Sequence, residues 1–133
     1  MTGKRPVVEL ARGYLKYHRT RALEDSWAFD EVLERVGLSS AEPEDAWNVV
    51  LALVTMADDE SLGYIGAGPL ENLVHQFGAE LVDRIEDRAR QDPRFRFCLG
   101  AVWLSEGDLP PAVQERVVHA SGGRIKPLPS RGA

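Results

Sequence analysis

Apolar residues recur along this chain at intervals of three and four, the period of one helix face, and prolines stand just ahead of the runs. Val7, Leu10, Ala11, Tyr14, Leu15 and His18 keep that spacing behind Pro6 and predict a helix over 6–18. Phe29, Val32, Leu33 and Val36 predict a second, with Asp25 or Ser26 as its N-cap and Gly37 as its stop. Both patterns leave a polar face and belong to outer helices. The third run, 43–57, differs: Trp47, Val50, Leu51 and Val54 cover one side while Val49, Leu53 and Met56 cover another. A helix that is apolar nearly all round is buried among its neighbours.

Pro69 is expected to open a short fourth helix carrying Leu70, Leu73, Val74 and Phe77, with Gly78 closing it. A fifth, over 79–91, turns Leu81, Val82, Ile85 and Ala89 inward. Asp92 followed by Pro93 predicts a sixth over 93–104, again apolar on two sides and therefore central. A last short helix follows Asp108, with Val113, Val117 and Ala120 inward, and the Gly, Pro and Ser of 121–133 read as a flexible tail. Strand patterns are nearly absent. The fold class is all-α, one helical domain over 1–120. It is either a compact helical bundle or a short HEAT-like helical stack of six or seven helices. The stack draws on the two central runs, whose prolines Pro43 and Pro93 place Trp47 level with Phe97, Val49 with Leu99 and Leu53 with Trp103.

Composition narrows the use of such a domain. At 133 residues, with 44% apolar and 28% charged residues, the chain is an ordinary globular domain with one core. No apolar run approaches the ~20 residues that span a bilayer, and no leader pattern follows Met1, so a cytoplasmic protein with no membrane partner is expected. Cys98 stands alone, which excludes an intrachain disulfide and every multi-cysteine zinc pattern. The net charge of −5 hides a segregation. Residues 1–21 hold six basic side chains and one acid, 22–87 hold two arginines and sixteen acids, and 88–133 hold eight basic groups and four acids. An acidic middle disfavours duplex nucleic acid as its partner. Either the basic ends fold across it or it awaits a partner, in that case a basic protein.

The one stretch with the look of a site is "DDESLGYIGAGPLENLV", 58–74. Gly63, Gly66 and Gly68 form no phosphate loop, because no strand precedes them and no Lys-Ser/Thr follows. The expected role of Gly66, Gly68 and Pro69 is structural: a close-packed turn that opens the next helix. Asp58, Asp59 and Glu60 fit no calcium spacing, so capping or hydration is expected of them. Glu71 and His75 lie i, i+4 apart on one helix flank, where they could pass a proton or supply half a metal site, although a second pair of ligands is missing. The simplest role for Glu71 is a cap on the turn's N–H groups. Cys98 lies on an apolar face as a small hydrophobe. No catalytic residue, metal site or cofactor is implied.

"PEDAWNVVLALV", "LGYIGAGPLENLV" and "IEDRARQDPRFRFCLGAVWL" resemble a family of short bacterial all-helical proteins of unknown function. It is marked by an I-G-A-G-P-L-E turn and a D-P-x-F-R helix ending in V-W. The resemblance covers 43–104 and implies an all-helical core without an activity. Gly66, Gly68, Pro69, Leu70 and Glu71 match its turn motif. The leading expectation is a non-catalytic protein-interaction module, in form like an immunity or antitoxin protein, that uses an acidic surface. The alternative is a small-ligand or metal-binding protein, or an enzyme, with its site at Asp58, Asp59, Glu60, Tyr64, Glu71 and His75.

Overall fold

A carboxylate-proline pair opens each of the two helices expected at the centre. In the computed structural model, which describes residues 4–125, Pro43 takes the first position of one helix with Glu44 and Asp45 in its first turn. Acids there complement the helix dipole. Pro93 starts the other, and the Asp92 side chain accepts the N–H groups of Arg94 and Phe95 at 3.0 and 3.3 Å.

Seven α-helices lie among the described residues: α1 Val7–Thr20, α2 Ser26–Val32, α3 Pro43–Met56, α4 Leu62–Ile65, α5 Glu71–Gln91, α6 Pro93–Leu99 and α7 Pro111–Ala120. They form an all-α bundle in which α1 packs on α2 and α3, and α5 packs on α3, α6 and α7. Leu10, Leu53, Ile65, Leu73, Ile85, Phe95 and Leu99 are fully buried at their meeting. Each such side chain contributes about 1.5–3 kcal/mol of transfer free energy. Trp47 packs edge-on to Phe95, ring centres 5.8 Å apart.

Four expectations need correction. Pro69 does not open a helix: the chain runs from α4 through a widened turn, Gly66–Leu70, directly into α5. Proline lacks the N–H that an ordinary turn requires, and the widened turn lets the Glu71 N–H reach back five residues to the Gly66 carbonyl. Gly66 is nevertheless required, for a different reason. A Cβ there would drive into the Cys98 carbonyl and come within 2.8 Å of the Ala101 Cβ, so the segment crosses α6 at backbone contact. Gly78, expected as a stop, sits inside α5 with Leu109 over it; an added Cβ would lie 3.2 Å from both Leu109 methyls. Packing has overridden local propensity.

The sixth helix ends at Leu99, five residues early, in tight turns from Ala101 N–H to Cys98 O at 3.0 Å and Val102 N–H to Leu99 O at 3.1 Å. The matching of α3 with α6 holds for Val49 and Leu99, both fully buried, and fails for the other two pairs. Trp47 is buried whereas Phe97 is 48% exposed, and Leu53 is fully buried whereas Trp103 is 63% exposed. This removes the argument for a stack. Of the tail expected over 121–133, Ser121 and Ile125 are buried and linked by an Ile125 N–H bond to the Ser121 hydroxyl; residues 126–133 lie outside the described residues.

The basic first segment does fold across the acidic middle. Buried Arg35 donates to both carboxylate oxygens of Asp45 at 3.0 and 2.7 Å, to Glu31 at 3.1 Å and to the Arg5 carbonyl at 2.8 Å. Lys4 reaches the same Asp45 at 3.0 Å, and Lys16 lies 3.5 Å from the buried Asp25, whose side chain caps no helix. Further along, Arg116 of α7 spans Asp83 and Glu86 of α5, and Arg94 of α6 pairs with Asp59 at 3.1 Å. Much of the acidic middle is thus neutralised within the chain.

Candidate functional site

The six residues singled out by the sequence do not converge on one point. Asp58 Oδ1 accepts the Ser61 N–H at 2.9 Å, and hydrogen bonding to Ser61 holds its carboxyl below the usual aspartate range. It is a turn cap, as expected. Asp59 faces solvent beside Arg94, and Glu60 is exposed. Tyr64 turns toward α1, where its ring lies 4.1 Å from that of His18. Among the described residues no group of three His, Cys, Asp or Glu side chains is placed to hold a metal ion.

Glu71 and His75 do work together, although neither caps the turn before them. Glu71 Oε1 accepts the backbone N–H of Trp103 at 2.7 Å, and His75 Nε2 sits 2.7 Å from the carbonyl oxygen of the same residue. A carbonyl can only accept, so His75 carries its proton on Nε2. The i, i+4 spacing on α5 puts both groups on one flank, where together they hold the two polar backbone groups of one residue. The other ring nitrogen faces Asp108 Oδ2 at 3.8 Å. Asp108 in turn accepts the Ser105 N–H at 2.7 Å, while Gln114 accepts from Leu109 N–H and donates to the Ser105 carbonyl, each at 3.2 Å.

The segment after α6 is therefore fixed by a polar frame, and the residue at its centre presents a bare indole. Its neighbours in sequence, Val102 and Leu104, are buried and anchor it from both sides. Phe97, on the exposed side of α6, is a second uncovered aromatic. The periodic reading placed Trp103 on a helix face because nothing local in "CLGAVWL" announces that the helix ends at Leu99. The signal that could have located it is the pairing of Glu71 with His75, whose partner is a backbone and so leaves no side-chain pattern.

Cys98 offers no chemistry. It is fully buried, its thiol donates to the Leu62 carbonyl at 3.2 Å, and burial pushes its pKa up to about 12. An open apolar depression of about 540 Å³ lies beside α7, lined by Leu109, Pro111, Gln114, Val118 and His119. No described helix is long and apolar enough to cross a membrane.

A family model described as a family of unknown function (DUF6869) matches residues 17–125, well beyond the 43–104 span of the motif resemblance. No curated protein and no solved structure matches the chain.

Proposed function

For this chain, which belongs to the DUF6869 family, we propose the role of a non-catalytic protein-binding module that anchors its partner on Trp103. The observation that carries this reading is the contrast at one residue: a backbone held at both polar groups, and a side chain 63% exposed. Tryptophan is among the residue types most enriched at binding hot spots, and on a backbone held beforehand only its two side-chain torsions remain to be ordered when it is covered. Glu106 and Asp108 belong to the same segment, so its acidic character favours a partner surface with basic residues around an apolar pocket.

A photo-crosslinking residue tests this directly in the native cell. p-Benzoylphenylalanine placed at position 103 should give one dominant protein adduct, while the same residue at exposed Ala112 on α7 should not. Equal, diffuse labelling from both positions would overturn the reading.

A further inference from the structure

All three tyrosines of the chain meet at one place. Tyr14 and Tyr17 come from α1, Tyr64 from α4, and between them Phe29 of α2 and His18 complete the walls of a recess of about 200 Å³. The rings are ordered. Tyr14 stacks on Phe29 at 6.2 Å with planes 10° apart, Tyr17 leans on Phe29 at 6.2 Å, and His18 meets Tyr64 at 4.1 Å. Tyr64 is 60% exposed and Phe29 45%, so these walls are open to a visitor from solvent.

The charged group at this recess is Arg21. It occupies the C-cap of α1 in the left-handed region, φ 57° and ψ 21°, the only positive-φ residue other than glycine among those described. Glycine is the relaxed choice at such a cap; an arginine accepts the backbone cost there and sets a cation at the helix C-terminus, which the dipole favours. The position turns the guanidinium onto the recess, 5.6 Å above the Tyr17 ring. Burial and the nearby Arg21 charge depress the His18 pKa, so His18 is a neutral wall at neutral pH; Asp58, which opposes this more weakly, is already engaged by Ser61. The floor is open as well: a Cβ on Gly68 would meet nothing within 4 Å except the Tyr14 hydroxyl at 3.7 Å.

We infer that this recess binds a single-ring aromatic carboxylate, with its ring against the open faces of Phe29 and Tyr64 and its carboxylate on the Arg21 guanidinium. The volume suits one ring, since a dry protein cavity of about 150 Å³ holds benzene. Stacked and edge-on ring contacts favour a flat π-system over an aliphatic one. The positive rim selects an anion, and a guanidinium meets a carboxylate with paired, charge-assisted hydrogen bonds. An aromatic cage without Arg21 would favour a quaternary ammonium instead; its charge excludes one here. This site is separate from Trp103 and does not rest on the protein-binding role.

Calorimetric titration of the full chain with benzoate, cyclohexanecarboxylate and benzyltrimethylammonium, together with thermal melting, tests the assignment. Benzoate should bind and raise the melting temperature, with cyclohexanecarboxylate about tenfold weaker or worse. Arg21→Gly, which relaxes the cap and keeps the fold, and Gly68→Leu, which fills the floor, should each weaken benzoate about tenfold or more, the loss expected for one charge-assisted contact. No benzoate binding, equal binding of the aliphatic acid, preference for the ammonium, or unchanged affinity in both folded variants would overturn it.

Discussion

Glu71 and Trp103 are joined by a 2.7 Å hydrogen bond from the backbone N–H of one to the carboxylate of the other, across 32 residues of chain. With His75 on the adjoining carbonyl, the bond turns a segment without regular structure into a rigid mount. Replacing Glu71 by Ala leaves that N–H without its acceptor, at a cost of about 1–2 kcal/mol. The Trp103 amide should then exchange with solvent much faster than in the wild type, while Glu71→Gln, which keeps an acceptor, should restore most of the protection. Amide exchange by NMR reads both.

Gly66 and Gly63 give a matched pair of opposite sign. Gly66→Ala forces backbone and side chain of α6 apart and should cost about 3 kcal/mol or more in denaturant unfolding. Gly63→Ala, with nothing within 4 Å of the new methyl and a helix around it, should be neutral or stabilise by about 0.5–1 kcal/mol. Equal effects at the two positions would show that the crossing of α4 and α6 is looser than described.

Arg35 is buried and Asp45 is its bidentate partner, so Asp45→Ala leaves the guanidinium with only Glu31 and the Arg5 carbonyl and should cost about 2 kcal/mol. The pH dependence follows from the sign of the shift. Hydrogen bonding to Arg35, and then to Lys4, holds the Asp45 carboxyl below its ordinary value of 3.8, so the folded state binds that proton more weakly than the unfolded one. This stability is fully present above pH ~4–5 and is lost as pH falls through the lowered folded value. His18 adds a loss at higher pH. Its folded pKa lies below 6.5 because of burial and Arg21, so acidification below about 6.5 favours the unfolded chain, which takes the proton more readily. Urea unfolding between pH 3 and 8 should show the wild type losing stability in both ranges and Asp45→Ala losing less in the acid range.

The Cys98 thiol should resist aromatic disulfide reagents at pH 8 in the folded protein and react at the rate of global opening, since a thiol with a pKa near 12 is almost wholly protonated there. Labelling kinetics with increasing urea should track the unfolding rate.

Much of the fold was legible because it rests on periodic burial. The apolar faces of α1, α3 and α5 and the proline starts of α3, α6 and α7 follow from residue spacing alone. The differences share a physical cause: local preference makes Gly and Pro helix boundaries, whereas Gly66, Pro69 and Gly78 sit inside a continuous helical path, with α6 against Gly66 and Leu109 against Gly78. The site was half legible. Glu71 and His75 stood out as a pair, yet their common partner is the backbone of Trp103, and a backbone carries no sequence signature. The aromatic recess was hidden for the same reason that tertiary contacts are: Tyr14, Phe29 and Tyr64 come from three separate segments.

The central claim is that the exposed Trp103 indole is a protein anchor. The most direct measurement is the affinity of Trp103→Ala for the partner captured by crosslinking from position 103, set beside the thermal melting of the same variant. The account predicts a loss of at least about 2 kcal/mol, roughly 30-fold in Kd, with a melting temperature close to wild type because a ring 63% exposed supports little of the core. Unchanged affinity, or a fall in melting temperature like that of a buried tryptophan, would contradict it.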